Sequence, residues 1–247
     1  MTIGGTRIYE ETVPMTELST LSPEDLARLI DHTFLKAFGP PADIDRLCAE
    51  AREYGFACVM VNPSEIERCR ALLGASRVPI GVTIGFPLGQ STAAVKDFEC
   101  RDAVQRGARE LDMVLNVRAL QAGALSLVRS ELQSLVRVCA DAGAESKLIL
   151  ETCYLSDTEK KTACLMARDA GVRFVKTSTG LGAGGATIAD IRLMRETVGS
   201  QMGVKASGGI RDLDTALAML AAGANRIGTS SGVALVQELR RRRSQGL

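Results

Sequence analysis

Two lysines stand at the ends of apolar, strand-like runs, Lys176 in RFVKTSTG and Lys205 in GVKASGGI. An ammonium placed where a strand opens into a cleft is either a fixed positive charge or, with its pKa forced down, an amine able to attack a carbonyl. If both point into one apolar-walled site, burial and like-charge repulsion each favour the neutral form of one of them. A shift from about 10.4 to about 7.4 needs roughly 4 kcal/mol, large for either effect alone and reasonable for the two together. A carboxylate is at hand. In ELDMVLN, Asp112 alternates with Leu111 and Met113 and shares a face with Glu110, so a buried Asp112 needs a cation beside it. A structural ion pair is the competing reading of Asp112, and a strand-end anchor that of Asp31 in IDHT. Lys147 and Glu151, four apart, would face the same way as either a core ion pair or a catalytic one. His32 falls on the opposite face from Asp31 and reads as a hydrogen-bonded packing residue.

Glycine-rich turns follow the last three strand-like runs: TSTGLGAGG (177–185), SGGIRD (207–212) and GTSSG (228–232). Each alone is only a turn. As a set beside two lysines they can aim backbone N–H groups at a phosphate, with hydroxyls from Ser230 and Ser231 and charge from Arg211 at the rim. An amine nucleophile, a carboxylate and a phosphate cradle point to Schiff-base chemistry on a phosphorylated carbonyl compound. A proton-abstracting isomerase with Asp112 as base, and a barrel kept only for binding, remain as alternatives.

The elements that must position these groups alternate along the chain. Eight strand-like segments occur: LIDHTF, then 56–61, 79–84, 110–115, 146–151, 172–177, 203–207 and 225–229. Amphipathic stretches such as ADIDRLCAEAREYG and SDTEKKTACLMARDAG separate them, several ending in a glycine suited to a helix C-terminus. SPEDLARL, with Ser22 as N-cap and Pro23 in the first turn, starts the series. Eight strands each followed by a helix predict an α/β fold, a single (β/α)8 TIM barrel over 21–247, preceded by a short N-terminal helix and a flexible extension over 1–20. An open doubly wound sheet would carry a GxGxxG turn after its first strand, and none follows LIDHTF.

A formal charge of +1 gives no electrostatic reason to expect nucleic acid or an anionic membrane as partner. The basic run Arg240–Arg243 reads as a solvated helix end. Seven cysteines without a CxxC grouping suit reduced thiols in the cytoplasm, and one histidine removes His-rich metal sites. Neither a cofactor nor a metal is expected. No segment suggests a membrane span or a signal peptide. Apolar helix faces would permit a homodimer.

IDHT (30–33), VNPSEI (61–66), VTIGFPLG (82–89), ELDMVLNV (110–117), KLILET (147–152), FVKTSTG (174–180), GVKASGGIR (203–211) and RIGTSSG (226–232) occur in that order. Together they closely resemble the DeoC family of class I aldolases, over about Leu29 to Val233. That resemblance implies reversible cleavage of 2-deoxy-D-ribose 5-phosphate into acetaldehyde and D-glyceraldehyde 3-phosphate. It further implies that Lys176 forms the Schiff base, Lys205 lowers its pKa, Asp112 relays protons with a water, and Asp31 organises the lysines. Phosphate would lie on Gly180, Gly208, Gly209, Ser230 and Ser231, with Thr179 beside them. Two departures stand out. Met60 replaces a cysteine found in some members, which implies better tolerance of acetaldehyde, since a thioether forms no thiol adduct. The tail RRRSQGL lacks the terminal tyrosine of some members, which implies slower turnover.

Overall fold

A computed structural model describes residues 20–245. The extension expected over 1–20 lies, but for Thr20, outside the described residues. Eight parallel strands close into a barrel in sequence order. They are β1 (Ile30–Phe34), β2 (Cys58–Val61), β3 (Ile80–Ile84), β4 (Glu110–Val114), β5 (Glu145–Ile149), β6 (Phe174–Lys176), β7 (Gly203–Ser207) and β8 (Arg226–Thr229). Around them run α1 (Pro23–Ala27), α2 (Ala42–Tyr54), α3 (Ile66–Leu73), α4 (Ala93–Arg106), α5 (Val117–Gln121), α6 (Leu125–Ala142), α7 (Asp157–Ala170), α8 (Ile188–Val198), α9 (Leu213–Ala221) and α10 (Gly232–Ser244).

The helices begin and end where local chemistry directs. Ser22 caps α1 by accepting from the Asp25 N–H, and Ser156 and Glu159 close a reciprocal capping box at the start of α7. Gly55, Gly107, Gly143 and Gly171 take the left-handed conformation that stops α2, α4, α6 and α7. The basic run lies at the end of α10, where Arg240 pairs with Glu24, Arg241 with Glu238, and Arg242 with Asp214. Those arginines are engaged within the chain.

Strand alternation sorts the barrel into two environments. Outward residues such as Val59, Leu111, Met113, Leu148, Val175 and Val204 are buried in the apolar layer beneath the helices. The inward set is charged instead: Asp31, Glu110, Asp112, Lys147, Lys176 and Lys205 are all buried. Several strands are shorter than expected. The run 146–151 leaves the sheet after Ile149, and Glu151 sits at φ 55, outside the extended region. Lys147 and Glu151 are therefore not strand neighbours on one face, and they do not pair.

Candidate active site

The register of the barrel brings the charged residues together. Lys176 on β6 lies opposite Lys205 on β7, and Asp112 on β4 lies opposite Lys147 on β5. Paired residues on adjacent parallel strands point to the same side about 5 Å apart. Both lysines of the first pair reach one oxygen: Lys176 Nζ and Lys205 Nζ each donate to Asp112 Oδ2 at 2.8 Å. The other oxygen of Asp112 lies 3.0 Å from Lys147 Nζ.

What separates the two lysines is their second neighbour. Lys205 Nζ also lies 2.5 Å from Asp31 Oδ2, whereas Asp112 is the sole carboxylate within ion-pair distance of Lys176 among the described residues. Burial opposes the charge on Lys205, but Asp112 and Asp31 outweigh it and hold its pKa above the ordinary lysine value. Burial dominates at Lys176, and with Lys205 and Lys147 nearby it overcomes the pull of Asp112, bringing the pKa down to about 8. Asp112 is itself fully buried, yet Lys147, Lys176 and Lys205 hold its carboxyl well below the usual range.

Below this layer Asp31 accepts from Arg226 at 2.7 Å, and Lys147 bonds to Glu110. Lys147 belongs to a core ion-pair network, but through Glu110 and Asp112 rather than through Glu151, the partner its spacing had suggested. Arg226 was not singled out from the sequence; its register with Lys205 gives the inward direction that periodicity in the short run RIGT could have suggested. Asp31, Cys58 and Glu110 bring three donor atoms close enough to suggest a metal site. They do not suit one. Lys205, Lys147 and Arg226 already neutralise the carboxylates, and burial holds the Cys58 thiol protonated. His32 bonds through Nε2 to Glu50 at 2.6 Å and packs on Phe56, as a packing residue should.

Lys176 opens into a cavity of about 240 Å³ at the C-terminal end of the barrel. Thr179, Gly180, Gly208, Gly209, Arg211 and Ser230 line it, so most of the expected phosphate residues converge there. Gly180, Gly208 and Gly209 all take positive φ, which turns the backbone without a side chain in the way. Ser231 does not reach the lining, and its N–H is taken by Thr229 Oγ1 at 2.9 Å. Lys36, from the loop after β1, adds a cation to the rim that was not foreseen. Its only signal was a lysine two residues past the first strand-like run.

Glu151 has a different place from the one expected. It accepts from the Thr179 N–H at 3.2 Å and from the Thr179 hydroxyl, bracing the turn that enters the glycine-rich loop. Thr179 and Leu181 also form the wall shared with a second, mostly apolar cleft of about 250 Å³, bounded by Pro87, Leu88, Val114 and Tyr154.

Residues 22–238 match the family model of the DeoC/LacD family aldolases. The chain is 57% identical over 220 residues to a deoxyribose-phosphate aldolase of Bacteroides thetaiotaomicron, covering 89% of this chain and 92% of that protein. It is 51% identical over 218 residues to one of Thermococcus gammatolerans, covering 87% and 97%. Among solved structures, the tetrameric deoxyribose phosphate aldolase of Aeropyrum pernix superposes with a TM-score of 0.82 at 35% identity, covering 89% of this chain and 92% of that one. No helix among the described residues is long and apolar enough to cross a membrane.

Proposed function

Because the chain belongs to the DeoC/LacD family of aldolases, enzymes that make and break carbon–carbon bonds, we propose that it reversibly cleaves 2-deoxy-D-ribose 5-phosphate through a Schiff base on Lys176. The observation that carries this reading is a buried amine with a pKa of about 8, 2.8 Å from Asp112, opening into a cavity walled by glycine turns. That pKa leaves roughly a tenth of Lys176 neutral at pH 7, about 300-fold more than an ordinary lysine would supply.

The neutral Lys176 amine attacks C1 of the open-chain aldehyde to give a carbinolamine. Asp112, through a water, passes the proton that lets hydroxide leave as water, and an iminium forms. The iminium withdraws electrons, so the C2–C3 bond breaks as the C3 hydroxyl loses its proton. D-glyceraldehyde 3-phosphate departs, and the bonding pair remains in an enamine of acetaldehyde. Protonation at C2 and hydrolysis then free acetaldehyde and restore the amine. Lys205, held charged between Asp31 and Asp112, keeps Lys176 reactive by repulsion. Gly180, Gly208, Gly209 and Ser230, with Lys36 and Arg211 at the rim, hold the phosphate.

Borohydride reduction during turnover tests the covalent step. It should leave a reduced acetaldehyde adduct on the peptide that contains Lys176; an unmodified Lys176 overturns the mechanism. Release of D-glyceraldehyde 3-phosphate from the deoxy sugar phosphate tests the substrate separately.

A further inference from the structure

Outside the barrel, between α4 and α6, Lys96 and Glu131 form an ion pair of 2.8 Å with side chains only 1% and 2% exposed. The chemistry above does not use it. A buried pair of opposite charges is often no more stabilising than apolar residues of the same volume, so stability alone is a poor account of it. Its contacts suggest another. Lys96 Nζ also donates to the Val114 carbonyl at 3.0 Å. Val114 is the last residue of β4, one beyond Met113, where pairing with β3 ends at Ile84.

The stem of the same lysine supports the loop that leaves β3. A Cβ on Gly85 would lie 2.9 Å from Lys96 Cε, so the backbone there rests directly on the side chain. Nearly one turn along α4, Glu99 accepts the Gly85 N–H at 2.6 Å. The loop then folds onto the end of β4. Gly89 donates to the Gly85 carbonyl at 2.7 Å, and a Cβ on Gly89 would fall 2.1 Å from the Leu115 carbonyl oxygen. Gln90 donates to Asn116 at 3.1 Å.

We infer that Lys96, braced by Glu131, is a positioning residue for the aldolase site: it ties the end of β4, two residues past Asp112, to the loop 85–89 and so keeps the Asp112 carboxylate aligned with Lys176 and Lys205. The inference rests on the roles proposed for Asp112 and Lys176. Its geometry requires both halves of the tie. The ammonium reaches the β4 carbonyl, and Glu131 holds the ammonium in place.

Two variants test it, Lys96→Met and the double variant Lys96→Met/Glu131→Leu, which replaces the pair by apolar groups and guards against simple misfolding. Both should lose about tenfold or more in kcat, with KM for the sugar phosphate within about twofold of wild type, as expected when a reacting group is misplaced rather than removed. The acid limb of the kcat/KM profile should move to lower pH, because Asp112 no longer sits tightly against Lys176. The double variant should regain thermal stability without regaining kcat. Wild-type kcat in the folded double variant overturns the inference, and so does a fall in kcat with the acid limb unmoved. Imine trapping on the wild type runs alongside. No adduct there overturns the proposed mechanism itself, whereas an adduct together with wild-type kinetics in the double variant overturns only the tie.

Discussion

Lys176 and Lys205 touch the same oxygen of Asp112 at the same 2.8 Å, yet one pKa is lowered and the other raised. The second carboxylate, Asp31, makes the difference by compensating the burial of Lys205 alone. Replacing Lys205 with leucine should therefore act chiefly through Lys176. Its ammonium would lose a repelling neighbour and keep Asp112 more nearly to itself, so its pKa should climb from about 8 towards the ordinary 10.5. In the proposed mechanism only the neutral amine attacks, so the acid limb of kcat/KM should move to higher pH, and the rate at pH 7 should fall by about tenfold for each pH unit of displacement. A pH–rate profile of Lys205→Leu that superposes on wild type would overturn this division of labour. Alternation within ELDMVLN and the spacing of the two lysine runs made this trio legible before any coordinates. The pairing of Lys147 was not equally legible, because the left-handed Glu151 ends the strand sooner than an apolar run can announce.

At the level of strands and helices, all eight strand-like runs became strands, and the glycine stops fell where helices end. Periodicity carried that much. It could not show Lys96 and Glu131 as buried, since a charge on an amphipathic helix reads as solvent-facing until a neighbouring helix covers it. Nor could it show why β7 opens with glycine. Gly203 lies in register with Phe174 on β6, and a Cβ there would come within 2.1 Å of the Phe174 ring. That ring is buried beneath the charged layer, 5.8 Å from Lys147 Nζ and 5.3 Å from Arg226 Cζ. Gly203→Ala should therefore force the β6–β7 pair apart or push the ring into the network. An overpacking cost of about 1–3 kcal/mol is expected. In a chain of this size it should appear as a fall in Tm of roughly 2–4 °C per kcal/mol. An unchanged melting curve would mean that the ring moves freely and that the glycine is not needed for packing.

Taken across the whole barrel, the inward charges nearly balance. Asp31, Glu110, Asp112 and the partly exposed Glu145 face Lys147, Lys205, Arg226 and Lys176, so among the described residues the interior holds four carboxylates, one of them partly exposed, and four basic groups. A low-dielectric interior penalises a weakly compensated charge, and the group held by one carboxylate rather than several gives up its proton most readily. That group is Lys176. On this view its reactivity belongs to the closed barrel, because the matching cations arrive from β5, β7 and β8. Asp112→Asn tests the count, since it removes one anion and leaves every basic group in place. Without its nearest carboxylate Lys176 should deprotonate more easily, so the acid limb of kcat/KM should shift to lower pH, opposite to Lys205→Leu. The plateau should nevertheless fall by about 10²–10⁴, because the group proposed to pass protons is gone. Lys147 and Lys205 would be left partly unmatched in the interior, lowering stability by about 3–5 kcal/mol in denaturant unfolding. An acid limb that rises instead, or a plateau that stays at wild type, would show that the charge balance does not set the reactivity of Lys176.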